Sequence, residues 1–171
     1  MLEVTPAKLK RLYKAMSDIA CRETSYNPFK GAIWYYNGWL YATDSFCIVR
    51  VELSWLEHEG QWGKLYVVQG TDDKGFIDLG EDATTDRYND SGNAKRLAEM
   101  FEPDMKAPDG RVGTDLKYLN LVLNCFNALK LPVTFSQDSK RLFLTAMADA
   151  KFERYNRLVR MEAMVMHVRL P

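Results

Sequence analysis

Apolar positions recur along this chain with two different periods, and the switches between them mark its elements. Leu9, Leu12, Tyr13, Met16, Ile19 and Ala20 fall at helical spacing and predict a helix over 5–20, with Thr5 as its cap and Pro6 at its first position. Asn27-Pro28 and Gly31 end that pattern. Residues 32–36 and 39–43 predict a hairpin around Asn37-Gly38, and 46–53 alternates as a third strand. Stretches 65–69 and 75–79 predict another short pair. Residues 71–92 are acidic and rich in turn formers, Asn93 is placed to cap a short helix AKRLAEMF ahead of Pro103, and MKAPDGRVG predicts a loop. Thr114-Asp115 then caps a second long helix with Leu116, Leu119, Val122, Leu123, Phe126 and Leu129 on its apolar side and Pro132 just beyond it. A second hairpin is expected from 133–136 and 141–146, and a last strand over 158–170.

This order contains a repeat. Helix 5–20 leads to hairpin 32–43, and helix 114–130 leads to hairpin 133–146; Leu40-Tyr41-Ala42-Thr43-Asp44 stands where Leu144-Thr145-Ala146-Met147-Ala148-Asp149 stands in the second copy. One copy of helix plus sheet buries little alone. Two copies side by side predict a single two-layer α+β domain, with helices on one face of a mainly antiparallel sheet. Unit one spans about 1–79, the acidic loop and insertion about 80–113, and unit two about 114–171.

Composition agrees with one globular domain: 171 residues, of which 47% are apolar and 27% charged. No apolar run approaches the ~20 residues of a membrane span, and MLEVTPAKLKRLYK lacks the apolar core of a signal peptide. Cys21, Cys47 and Cys125 are odd in number and have no CxxC spacing, so reduced thiols and a cytoplasmic location are expected.

Net charge is zero, 23 acids against 23 bases, but its distribution is uneven. No acid lies between Glu3 and Asp18, where Lys8, Lys10, Arg11 and Lys14 stand, and none lies between Asp115 and Asp138. On the second long helix Lys117, Asn120, Asn124 and Asn127 share one stripe. Helices bare of acid on their outward sides suit a phosphate backbone, where Lys and Arg gain by counterion release and Asn hydrogen-bonds phosphate without reading sequence.

Nothing in the chain carries a catalytic pattern. GxxxxGK[ST], GxGxxG, GxSxG and HExxH are absent, and His58 and His167 stand far apart. His167, on an apolar final strand, reads as a packed residue. The acids of 71–92 lack the D-x-[DN]-x-[DN]-G order of a calcium loop and read as a solvated segment. No base is indicated beside Cys47. The expectation is a non-enzymatic protein with no metal and no cofactor. Trp34, Tyr35, Tyr36, Trp39 and Tyr41 alternate faces in their hairpin, so about half are expected in the core and the rest at an interface rather than on stacked bases.

The hairpin GAIWYYNGWLYATDSFCIVRVEL resembles the apolar strand, turn, "L-x-x-A-T-D" and alternating strand of bacterial DNA polymerase III beta-subunit sliding clamps. DLKYLNLVLNCFNALKLPVTFSQDSKRLFLTA is similar to the clamp helix with its "Y-L-x-x-x-L" start and the hairpin after it. Met164 to Leu170, MVMHVRL, is similar to the clamp's "V-M-P-M-R-L" end, with His167 where the family has proline and Pro171 after the leucine. The resemblance implies a DNA-clamp-like fold of repeated units whose helices line the DNA-facing wall of a ring. It implies association with duplex DNA through Lys8, Lys10, Arg11, Lys14, Lys117, Asn120, Asn124 and Asn127. It also implies a pocket at Met164, Met166, Val168 and Leu170 for short motifs on a DNA polymerase or clamp loader. Clamp subunits carry three domains per chain, so a ring of this one-domain chain would be a homo-oligomer of six copies. The alternative expectation is a clamp-fold interaction module, of phage or mobile-element type, that binds a replication protein without encircling DNA.

Overall fold

Thr5 caps the first helix as its position demands: the Lys8 amide donates to Thr5 Oγ1 at 3.3 Å and the Leu9 amide to the Thr5 carbonyl at 3.0 Å. In this computed structural model, which describes residues 1–20, 31–52, 62–82, 91–102, 104, 106, 112–152 and 155–169, a short strand β1 (Leu2–Glu3) precedes helix α1 (Pro6–Ala20). Helix α1 buries Leu9, Leu12, Ala15, Met16, Ile19 and Ala20. Strands β2 (Ile33–Tyr36) and β3 (Trp39–Thr43) meet at Asn37 (φ 48°) and Gly38 (φ 83°), both left-handed as a two-residue hairpin turn requires. β4 (Cys47–Glu52), β5 (Leu65–Thr71) and β6 (Ile77–Asp82) follow, so the acidic stretch starts with the β5–β6 turn, is strand over 77–82 and lies outside the described residues over 83–90.

Helix α2 (Ser91–Glu99) starts two residues ahead of the expected cap, Asn93, and β7 (Val112–Thr114) occupies the end of the expected loop. Helix α3 (Leu116–Leu129) is capped by the Asp115 carboxylate, which accepts from the Lys117 amide at 2.8 Å. It closes on Lys130 in the left-handed region, whose amide reaches the Asn127 and Phe126 carbonyls. β8 (Thr134–Gln137), β9 (Arg141–Phe152) and β10 (Tyr155–Arg169) complete the chain.

The strands form one sheet in the order β1-β9-β10-β4-β3-β2-β5-β6, with β8 beside β9 and β7 beside β10. Every pairing is antiparallel except β1 with β9. Helices α1 and α3 pack against each other on one face. Their Met16, Ile19, Phe126 and Leu129 meet Leu40, Val49, Val51, Leu144, Met161 and Val165 in the larger core.

The opposite face carries a second core of Trp34, Tyr41, Ile48, Leu65, Phe143 and Met164, covered by Leu97 of α2 and Phe101 just after it. The expected two layers therefore gain a partial third. Central strands with cover on both sides lose strict alternation. That is why Ile33, Trp34 and Tyr35 are all buried in succession. Of the five hairpin aromatics, Trp34, Tyr35 and Tyr41 are buried, in keeping with about half in the core, and Tyr36 and Trp39 are half-buried against the second core. The pairing of Asp44 with Asp149 fails. Asp44 sits buried in the β3–β4 turn, whereas Asp149 lies exposed in mid-strand opposite Leu158, because the β9–β10 hairpin runs on to Phe152 and Tyr155.

Where β4 meets β10, Arg50 stands directly opposite Glu162. Arg50 Nε donates to Glu162 Oε2 at 2.6 Å, and the guanidinium lies 4.3 Å from the Trp39 ring centroid and 4.1 Å from that of Phe101. Burial raises the Tyr41 hydroxyl above its ordinary pKa, against the pull of the same guanidinium. Arg160 pairs with the other Glu162 oxygen. A cation held between two rings and answered by one carboxylate tolerates no loss of that carboxylate. Glu162→Ala should cost about 3 kcal/mol by urea unfolding, with much of it recovered in Arg50→Met/Glu162→Leu.

Candidate nucleic-acid face and apolar pocket

Because α1 and α3 bury their apolar sides against the same sheet face, their remaining sides are turned away from it. Lys10, Arg11 and Lys14 are exposed there and Lys8 is half-buried; on α3, Lys117, Asn120, Asn124 and Asn127 are all exposed. All eight sequence-predicted residues thus belong to one pair of neighbouring helices. Asp18 is the one acid within α1, and α3 has none.

The bases differ in their surroundings. Lys8 Nζ donates to the Glu3 carbonyl at 2.5 Å. Lys10 Nζ lies 3.5 Å from Asp73 Oδ1 on the β5–β6 turn. Among the described residues, Arg11 and Lys14 have no ion pair. Lys117 Nζ rests 5.4 Å over the Tyr118 ring.

A second site forms where β10 runs out between two Asp-Ser turns. In the β3–β4 turn the Asp44 carboxylate accepts from the Phe46 amide at 3.0 Å and the Cys47 amide at 2.9 Å, and Thr43 Oγ1 donates to the Cys47 carbonyl at 2.9 Å. In the β8–β9 turn Asp138 does the same for Lys140 and Arg141, both at 2.8 Å. The Ala-Thr-Asp sequence is thus turn architecture, with the Asp44 carboxylate consumed by backbone. The turns grip β10 from both sides: Met166 donates its amide to the Phe46 carbonyl at 2.9 Å, and His167 to the Lys140 carbonyl at 2.8 Å.

Between the β3–β4 turn, β10 and the end of α2 lies a shallow apolar pocket, open to solvent. Thr43, Phe46, Ile48, Met100, Met164 and Met166 line it. Met164 is buried, while Met166 is 40% and Val168 45% exposed. Of the four residues expected here, Met164 and Met166 line the pocket, Val168 lies further along β10, and Leu170 is outside the described residues. Phe46, half exposed, stacks on Tyr118 at 5.1 Å. Phe46 and Met100 were not marked by any sequence signal of binding; only the turn residues before Phe46 placed it at a strand start. His167 is half-buried, with no partner on Nδ1.

Met100 is held by Arg141, whose Nη1 donates to the Met100 carbonyl at 2.6 Å and Nη2 to the Glu102 carbonyl at 3.0 Å. Asp138 Oδ2 anchors that guanidinium at 2.7 Å and accepts from the Asp104 amide at 3.0 Å. Among the described residues no group of three or more His, Cys, Asp or Glu side chains is arranged to hold a metal ion. Burial pushes the Cys125 thiol far above its usual range. His58 and Cys21 lie outside the described residues. No described helix is long and apolar enough to cross a membrane. No family model, curated protein or solved structure matches the chain.

The Asp138 clamp generates a pH prediction. Burial raises its pKa, but the Arg141 guanidinium and the Lys140, Asp104 and Arg141 amides outweigh burial and lower it from 3.8 to about 2. A depressed folded pKa gives stability that is complete above about pH 4 and is lost as pH falls towards 2, about 2 kcal/mol in all. Chemical unfolding of the intact chain and Asp138→Asn across that window should differ by this amount at pH 5 and converge near pH 2.

Proposed function

We propose that this chain is a sliding-clamp-like, non-enzymatic protein that lies along duplex DNA through α1 and α3 and acts as a replication accessory in the cytoplasm. The observation that carries the reading is an arrangement. The order strand, helix, three strands occurs twice, as β1-α1-β2-β3-β4 and β7-α3-β8-β9-β10. The last strands of the two sets pair antiparallel at mid-sheet, and the two helices lie side by side. A clamp-like unit needs this relation, since it brings two helices with acid-poor outward sides onto one surface. Arg11 and Lys14 are available to phosphate, and Asn120, Asn124 and Asn127 offer neutral donors that hold DNA without reading it. Weak, sequence-independent contact is what a sliding protein requires. A closed ring would be built from several copies of the chain.

Fluorescence anisotropy with a mixed-sequence duplex at low salt tests this. Lys8→Glu/Arg11→Glu/Lys14→Glu should abolish binding, and the intact chain should lose affinity steeply as salt rises. Unchanged binding by the reversed-charge variant would remove the helices from the interface.

A second reading, an interaction module that keeps the clamp fold and binds a replication protein without encircling DNA, is favoured by the pocket at Phe46, Met100, Met164 and Met166. An apolar pocket with exposed Met166 and Phe46 in its lining, and exposed Val168 further along the same strand, suits a short peptide motif of a DNA polymerase or clamp loader. Under it, Met166→Asp should weaken capture of such a subunit about tenfold or more, measured by surface-immobilised binding, while the α1 variant leaves capture intact.

A further inference from the structure

The β5–β6 turn brings an acid onto the basic helix pair. Residues 72–75 form a tight connection: the Asp72 amide donates to the Phe76 carbonyl at 2.9 Å, the Gly75 amide to the Asp72 carbonyl at 3.0 Å, and the Phe76 amide to Asp72 Oδ1 at 2.9 Å. The turn is pressed against the first turn of α1. A Cβ on Gly75, at φ +85°, would stand 2.9 Å from Pro6 Cα. Glycine is required there both for that φ and for the close approach. Asp72 is used inside the turn. Asp73 is not: its side chain is fully exposed, and its contact is with Lys10 Nζ, 63 residues earlier.

We infer that Asp73 is an electrostatic brake on the phosphate-facing surface, a carboxylate beside Lys10 that competes with DNA phosphate for it. The inference rests on the duplex-binding reading above. An exposed ion pair of this kind adds little to stability, so the fold gains little from holding it. A phosphate-binding face is affected directly, because a covered lysine releases fewer counterions when DNA arrives. Lys74, exposed next to Asp73, leaves the turn residues Asp72, Asp73 and Lys74 with a net charge of −1, and neutralising Asp73 brings that to zero.

The test is a salt titration of duplex binding by anisotropy for the intact chain, Asp73→Asn, Lys10→Gln and the double variant, with thermal melts to verify folding. Asp73→Asn should tighten binding about two- to fivefold at low salt, and its log–log salt slope should steepen by about 0.9, one phosphate contact. The gain should vanish in the Lys10→Gln background. Binding that appears only in Asp73→Asn also supports the brake. If the intact chain binds through Arg11 and Lys14 and Asp73→Asn matches it, the brake is overturned and the duplex reading stands. If no variant binds duplex at any salt, both fall together.

Discussion

The antiparallel pairing of β4 with β10 is the contact on which the rest of this molecule depends. It joins the two strand sets into one sheet, and only then do α1 and α3 share a face and close the larger core. Six residue pairs define its register, from Arg160 opposite Glu52 to Val165 opposite Cys47. A slip of one residue would turn one strand over, taking Val49 and Val51, or Met161 and Ala163, out of the larger core and putting Arg50 or Glu162 in their place. The Arg50–Glu162 pair, closed above and below by Trp39 and Phe101, resists that slip because neither charge finds a partner in the shifted register. A buried ion pair contributes little net stability but is well suited to fixing a register. The two surfaces follow from it: the helix pair on one side, and on the other the pocket where β10 passes the β3–β4 turn.

Much of this was legible in the sequence wherever a local rule decides the outcome. Both long helices, their Thr5 and Asp115 caps and the Asn37-Gly38 turn follow from spacing and turn chemistry within a few residues. The exposed stripe of Lys117, Asn120, Asn124 and Asn127 follows from the same periodicity. Strand β9 was underestimated because its inward positions after Leu144 are Ala146, Ala148 and Ala150, small residues whose alternation carries little hydrophobic signal. The third layer was not legible at all. Helix α2 contributes Leu97 to the second core, with Phe101 after it, and nothing local says which sheet face those two residues will cover.

The binding surfaces divide in the same way. Exposure of Arg11 and Lys14 is a matter of helix phase, so it could be read directly. The contact between Lys10 and Asp73 arises from how a hairpin seats on a distant helix end, and depends on the absence of a Cβ at Gly75. Met100 reaches the pocket only because Arg141, itself fixed by Asp138, holds the carbonyls after α2. Such placements are properties of tertiary geometry, in which one side chain orients another across long stretches of chain.

The separation of β4 from β10 also has a consequence for biosynthesis. Arg50 and Glu162 are 112 residues apart, so at ~5–20 residues per second a ribosome takes roughly 6–20 s to supply the partner of β4. Throughout that interval the nascent chain presents an unpaired strand edge with Val49 and Val51 beside it, a template for pairing with another chain. Arg50 lies at the centre of that edge, and a charged residue in such a place disfavours edge-to-edge self-association. A side chain that fixes the register of the finished sheet thereby protects the unfinished one.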